Sequence, residues 1–131
     1  PHFELDAYFN YMVDESGSGL RLTSCVGIPD EIARSIQNLE FGQAMCGRVA
    51  LNRQAACAAR IQQSDESQVE LVKSLGLQVY ACNPLIVGDE LIGTLSFGSR
   101  SREEFTAAEL DFLQTICRYV AAAYERVRLV E

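Results

Sequence analysis

An α+β fold is what this 131-residue sequence predicts: a central, mostly antiparallel sheet of five to six strands, flanked by helices and followed by a long C-terminal helix. Three observations carry the prediction. Phe3, Leu5, Ala7, Phe9, Tyr11 and Val13 alternate with mainly polar neighbours, the period of a strand buried on one face. Two β-rich runs, residues 77–87 and 90–99, flank Gly88-Asp89, a pair suited to a two-residue hairpin turn. From Thr106 onward, apolar residues recur at steps of three and four, the spacing of a helix with a packed face.

The elements follow in order. After the first strand, DESGSG (Asp14 to Gly19) supplies turn residues, and LRLTSCV (Leu20 to Val26) returns as its antiparallel partner. Pro29, Asp30 and Glu31 suit a helix start, with Ile32 and Ile36 one turn apart on its inner face. Leu39–Phe41 is a short strand, Cys46–Asn52 a helix, and Ala55–Ala59 another short strand. Ser64–Gly76 reads as a helix, with Ser64 or Ser67 as N-cap and Gly76 as its stop. Pro84 cannot donate to a ladder, so it belongs at an edge or a bulge of the 77–87 strand.

Thr106 opens the last helix, with Glu109 completing a capping box and Phe105 stapled to Leu110. Along that helix Leu110, Leu113, Cys117, Val120, Tyr124 and Val127 form a 3-4 seam, which Ile116 and Ala123 widen. A homodimer through the terminal helices is therefore expected, one side of the stripe meeting the sheet and another a partner helix.

Composition narrows the function. The net charge of −7 and the scattering of the 11 basic residues, apart from Arg100-Ser101-Arg102, exclude a nucleic-acid surface. No apolar run reaches the roughly 20 residues that cross a bilayer, so no membrane contact is expected. The 5 cysteines, Cys25, Cys46, Cys57, Cys82 and Cys117, are odd in number and lack CxxC spacing, which suits a reducing, cytoplasmic setting. No metal site is expected, because the single histidine, His2, lies at the very start. The opening PHFELD lacks the layout of a signal peptide, and the expectation is one domain, residues 1–131, cut from a longer protein.

GQAMCGRVALNRQAA, NPLIVGDELIGTLSF and FTAAELDFLQTICRYVA together closely resemble a GAF domain, over nearly the whole chain. The resemblance implies a non-catalytic sensory or regulatory module, joined to an output domain such as a histidine kinase and signalling through dimer helices. It also implies a small-molecule pocket between the sheet and the middle lobe, with Met45 and Cys46, Gln68 or a neighbour, and Ser96 among its walls. The residues add that Cys46, Gly47 and Arg48 would offer amides at a helix N-terminus, and that Thr94 and Ser96 share one face of a strand.

No cofactor or ligand is identified. Of the positions matching a cyclic-nucleotide set, Ser99, Arg100, Phe105, Glu109 and Leu110, only Phe105 is kept. Bilin and haem settings are missing. A second reading is redox: MCGRVALNRQAAC resembles the VCG segment of free methionine-R-sulfoxide reductases, making Cys46, Cys57 and Cys82 redox candidates. That family's GHIACD segment is reduced here to the AC of Ala81-Cys82. A third reading is a ligand-free dimerisation module, in which side chains fill the pocket.

Overall fold

The computed structural model of the chain describes residues 5–66 and 69–130, with the backbone alone over 127–130. Its centre is the hairpin of β5 (Val79–Val87) and β6 (Glu90–Ser99), closed by Gly88-Asp89 with Gly88 at φ 61°, as a primed turn requires. Ahead of it run β1 (Ala7–Val13), β2 (Gly19–Val26), α1 (Asp30–Ser35), β3 (Asn38–Glu40), α2 (Ala44–Asn52), β4 (Ala56–Ala58) and α3 (Glu70–Ser74). After it comes α4 (Ala107–Val130). The strands form one six-stranded sheet in the order β3-β2-β1-β6-β5-β4, each neighbouring pair antiparallel.

Strand parity divides the side chains between two cores. Phe9, Tyr11, Tyr80 and Cys82 face α2 and the middle lobe, together with Met45, Cys46, Val49, Ile61 and Val72. Val79, Ala81, Leu85, Leu95 and Phe97 face the other way, against Leu113, Cys117 and Ala121 of α4. Pro84 sits where the expectation put it: β4 pairs β5 only as far as Cys82, so Pro84 lies on a free outer edge beside the irregularity at Leu85/Ile86.

Three expectations are corrected. The seam on α4 is largely filled by the chain's own sheet: Leu113 and Cys117 are buried, while Leu110, Val120 and Tyr124 are half-buried on the same cluster. The side chain of Val127 lies outside the described residues. A 3-4 repeat is the same whether it meets a sheet or a second helix, so its spacing could not choose. Next, α2 starts at Ala44, two residues before the predicted Cys46, and the 39–41 strand is shifted back to Asn38–Glu40.

Finally, the helix expected from Ser64 is only Glu70–Ser74, with Val69 at its N-cap. Ser64 instead accepts the Glu66 amide in a local turn of 3.2 Å, because serine and aspartate side chains compete with helix hydrogen bonds. Ser67, the other predicted cap, lies outside the described residues, as do His2 and the start of the predicted first strand at Phe3. Gly76 does stop the helix, at φ 82°.

The start of α4 matches its sequence signature. The Thr106 amide donates to Glu109 at 2.8 Å, and the Glu109 amide donates back to the Thr106 hydroxyl at 3.1 Å. Arg102 adds two bonds to the Glu109 carboxylate, of 2.7 and 2.5 Å. The Arg102 guanidinium, followed by the Thr106 amide, holds the Glu109 carboxyl down from 4.5 to about 2. A depressed folded-state value contributes stability above the unfolded value, and that stability is lost as pH falls through the folded one. Urea titrations between pH 4.5 and 2 should therefore show a shallower loss of stability for Glu109→Gln than for the unsubstituted chain, and parallel slopes would refute the capping role.

Candidate functional site

The site grows from the meeting of α2 with the inner face of β5 and β6. Gly47 allows the close approach: its ideal Cβ would lie 2.4 Å from the Glu40 carbonyl oxygen, so no side chain fits there. Its carbonyl accepts the Gly42 amide at 2.8 Å and its own amide donates to Gln43 at 2.9 Å. The Gly47 amide is thus spent inside the helix, and the expected three-amide anion site at residues 46–48 is not present.

Seated this way, α2 delivers Cys46 into the core at 4% exposure, opposite Cys82 at 0%. The Cys82 thiol donates toward the Cys46 sulfur at 3.6 Å. Tyr80 Oη lies 3.0 Å from that sulfur and Ser96 Oγ 3.4 Å. Thr94 stands on the same face of β6, fully buried, and its Oγ1 has no hydrogen-bond partner of ordinary length. Phe9 packs edge-on against Tyr80 with centroids 5.9 Å apart, and Tyr11 is fixed by its 2.7 Å bond to the Ile36 carbonyl.

The five thiols differ in acidity. Hydrogen bonding from Cys82 outweighs burial and, with Ser96 and Tyr80, holds Cys46 below the ordinary thiol range. Burial, then the bond to Cys46 and its charge, pushes Cys82 up. Burial also raises Cys117, to about 12, and Cys25. Cys57 is exposed, and loss of surrounding water at the cleft wall raises it too. Only Cys46 is poised as a thiolate. Tyr80 and Tyr11 are both raised by burial, so they remain protonated donors beside it.

A cleft of about 410 Å³ opens on the other side of Met45, between α2, the β4 segment and the residues after it. Met45, Arg48, Val49 and Asn52 form one wall, Gln54 to Ala59 a second, and Ser64, Glu66 and Val69 the third. Around Cys46 itself the free space is only about 10 Å³, bounded by Phe9, Tyr11, Met45, Leu71 and Tyr80 among others.

The structure therefore divides the predicted residues. Met45 walls the cleft; Cys46, Thr94 and Ser96 belong to the buried cluster; Gln68 lies outside the described residues. Cys57 pairs with Ala81 and Cys82 with Ala56, and facing residues of a ladder share a face, so Cys57 is directed away from Cys46 and Cys82. It is not their redox partner. Sequence reasoning missed Tyr80 and Tyr11, although Tyr80 has the strand parity of Cys82. Arg100, matched above to a cyclic-nucleotide position, is spent on the carbonyls of Leu75 and Gly27 at 3.1 and 2.7 Å. Among the described residues no group of three or more His, Cys, Asp or Glu could hold a metal ion, and no helix is long and apolar enough to cross a membrane.

Fold and site together define a single-sheet α+β domain with a thiol pair in its inner core and an open cleft beside it. The family model for the GAF domain matches residues 4–125, and the chain belongs to that family. Among solved structures it is similar to the GAF domain region of a protein from Geobacter sulfurreducens PCA described as a membrane protein, at 26% identity and a TM-score of 0.79, covering 95% of this chain and 83% of that one. A domain of a two-component sensor histidine kinase protein from Sinorhizobium meliloti 1021 follows at 17% and 0.77, with coverage of 97% and 83%. The free methionine-R-sulfoxide reductase of Neisseria meningitidis, solved with its substrate, shares 17% identity with a TM-score of 0.80, over 98% and 72%. At these lower identities the likeness concerns the fold alone. No curated protein matches in sequence.

Proposed function

We propose that this chain is a non-catalytic, cytoplasmic sensory and regulatory domain that takes a small polar molecule into the cleft beside α2 and signals to an attached output domain. The observation that carries the reading is the cleft itself. Its roughly 410 Å³ falls within the range of small-molecule sites, and Arg48, Asn52, Gln54 and Ser64 give it polar walls above the apolar floor of Met45 and Val49. Among the described residues its walls carry no aromatic side chain, so a molecule held by hydrogen bonds and charge suits it better than a flat ring system. Ala56→Trp would fill the cleft from an exposed edge strand. Native mass spectrometry of protein purified from cells should show a small-molecule adduct that this variant lacks; an adduct retained by the variant, or none in either, would count against the cleft.

The signal is proposed to leave through α4 as a population shift between helix packings in a homodimer. The seam for this is not the sheet-facing stripe but the one about a third of a turn away: Phe112 and Tyr119, at 52% and 73% exposure, with Ile116 and Ala123 between and beyond them. Sedimentation should give a dimer at high concentration, and Phe112→Glu with Tyr119→Glu a folded monomer. A strictly monomeric parent chain would remove the dimer from the mechanism.

A second reading is thiol chemistry, either redox sensing or reduction of a sulfoxide, and the 3.6 Å separation of the Cys46 and Cys82 sulfurs favours it. Incubation with free methionine-R-sulfoxide and dithiothreitol is expected to give no turnover. Turnover that Cys82→Ser abolishes would make the domain an enzyme.

A further inference from the structure

The space beside Cys46 is about 10 Å³, close to the roughly 10–15 Å³ that admits one water-sized molecule. The molecules that reach this sulfur are thereby limited by size. The pair it adjoins is reduced, buried and hydrogen-bonded thiol to thiol. Tyr80 and Ser96 place hydroxyls on the Cys46 sulfur, and the Thr94 hydroxyl is buried beside both thiols and interacts with each.

We infer that Cys46 and Cys82 form a reaction site for hydrogen peroxide, with Cys46 as the attacking sulfur, Cys82 as the resolving one and a Cys46–Cys82 disulfide as the product. This rests on the thiol reading of the domain and is independent of what the cleft binds.

The chemistry balances within the cluster. The Cys46 thiolate attacks one peroxide oxygen; the S–O bond forms, the O–O bond breaks, and the departing hydroxide takes up the proton that Cys46 had released, leaving as water. Cys46 is now a sulfenic acid. The Cys82 sulfur attacks it, the S–S bond forms, and the S–O bond breaks with the Cys82 proton leaving on the oxygen as a second water. Two thiols and one peroxide become one disulfide and two waters. The hydroxyls of Tyr80, Ser96 and Thr94 are placed to donate to the departing oxygen.

Roles and selectivity follow from position. Cys82 points its S–H at Cys46 and is fully buried, so the attacking sulfur is Cys46. A cumyl group, or the side chain of an amino-acid sulfoxide, exceeds the available space many times over.

The test uses the full chain, fully reduced. Hydrogen peroxide should remove two of its five thiols, as counted after denaturation, and peptide mapping should find Cys46 joined to Cys82. Cys82→Ser should stop at a sulfenic acid on Cys46, which dimedone traps when the oxidised chain is denatured in its presence; Cys46→Ser should leave Cys82 as a thiol. Cumene hydroperoxide should oxidise the pair at least about tenfold more slowly than hydrogen peroxide. Equal rates would overturn the peroxide site while leaving the thiol reading standing. Oxidation confined to Cys57, or no thiol lost to either oxidant, would overturn both, and the mapping on the unsubstituted chain decides this even if a variant fails to fold.

Discussion

Alternate residues of β5 and β6 point to opposite faces of the sheet, and both faces are covered, so almost every position on this hairpin is buried. That constraint shapes everything around it. One face must receive the middle lobe through α2, and the other must receive α4. A slip of one residue in the 79–99 ladder would turn Tyr80, Cys82, Thr94 and Ser96 toward α4 and bring Val79, Ala81, Leu95 and Phe97 beneath α2. The tight turn at Gly88 guards against such a slip by setting the register at its closed end.

Two-sided burial also explains why the thiols are unusual. A core lined by Phe9, Leu20, Val49, Ile61 and Leu77 would ordinarily hold sulfur as an inert apolar group. Here the hydroxyls of Tyr80, Thr94 and Ser96 and a second thiol stand beside Cys46, and hydrogen bonds in a low-dielectric interior stabilise charge more than they do in water. The result is a split pair: Cys46 is lowered by the donors it receives, while Cys82 is raised by burial and then by its bond to Cys46. Because the two titrate together, acidity belongs to the pair and not to either sulfur alone.

Much of this could be read from the sequence, for reasons that differ by element. The capping box at Thr106 and Glu109, the Gly88-Asp89 turn and the Gly76 stop are local chemistry, so their residues declare themselves. The shared face of Thr94 and Ser96 was legible from strand parity. What could not be read depended on contacts far apart in the chain. Whether the Leu113-Cys117 stripe meets a sheet or a helix is not a property of its spacing. Cys57 lies 11 residues from Cys46 and Cys82 lies 36 away, yet ladder register brings the distant one close and directs the nearer one elsewhere. The shortened α3 reflects competition between serine side chains and helix amides, which propensity cannot decide.

Thr94 joins the two faces and indicates which element yields when the inner core changes. Its side chain lies beside the thiols, while its carbonyl accepts the Asn10 side-chain amide at 3.0 Å. Asn10 of β1 in turn accepts the Tyr124 hydroxyl at 3.2 Å, which links α4 through β1 to Thr94. Closing a disulfide would require the two sulfurs, now 3.6 Å apart, to approach by about 1.5 Å. On the sheet side Cys82 is held between ladders to β4 and β6, and displacing Thr94 would disturb the bond its carbonyl accepts from Asn10. On the other side α2 is a helix of 9 residues with free space beside Cys46. The softer path is a shift of α2. Since Met45 and Val49 of that helix also wall the cleft, the proposed thiol chemistry and the proposed cleft ligand would both act on α2.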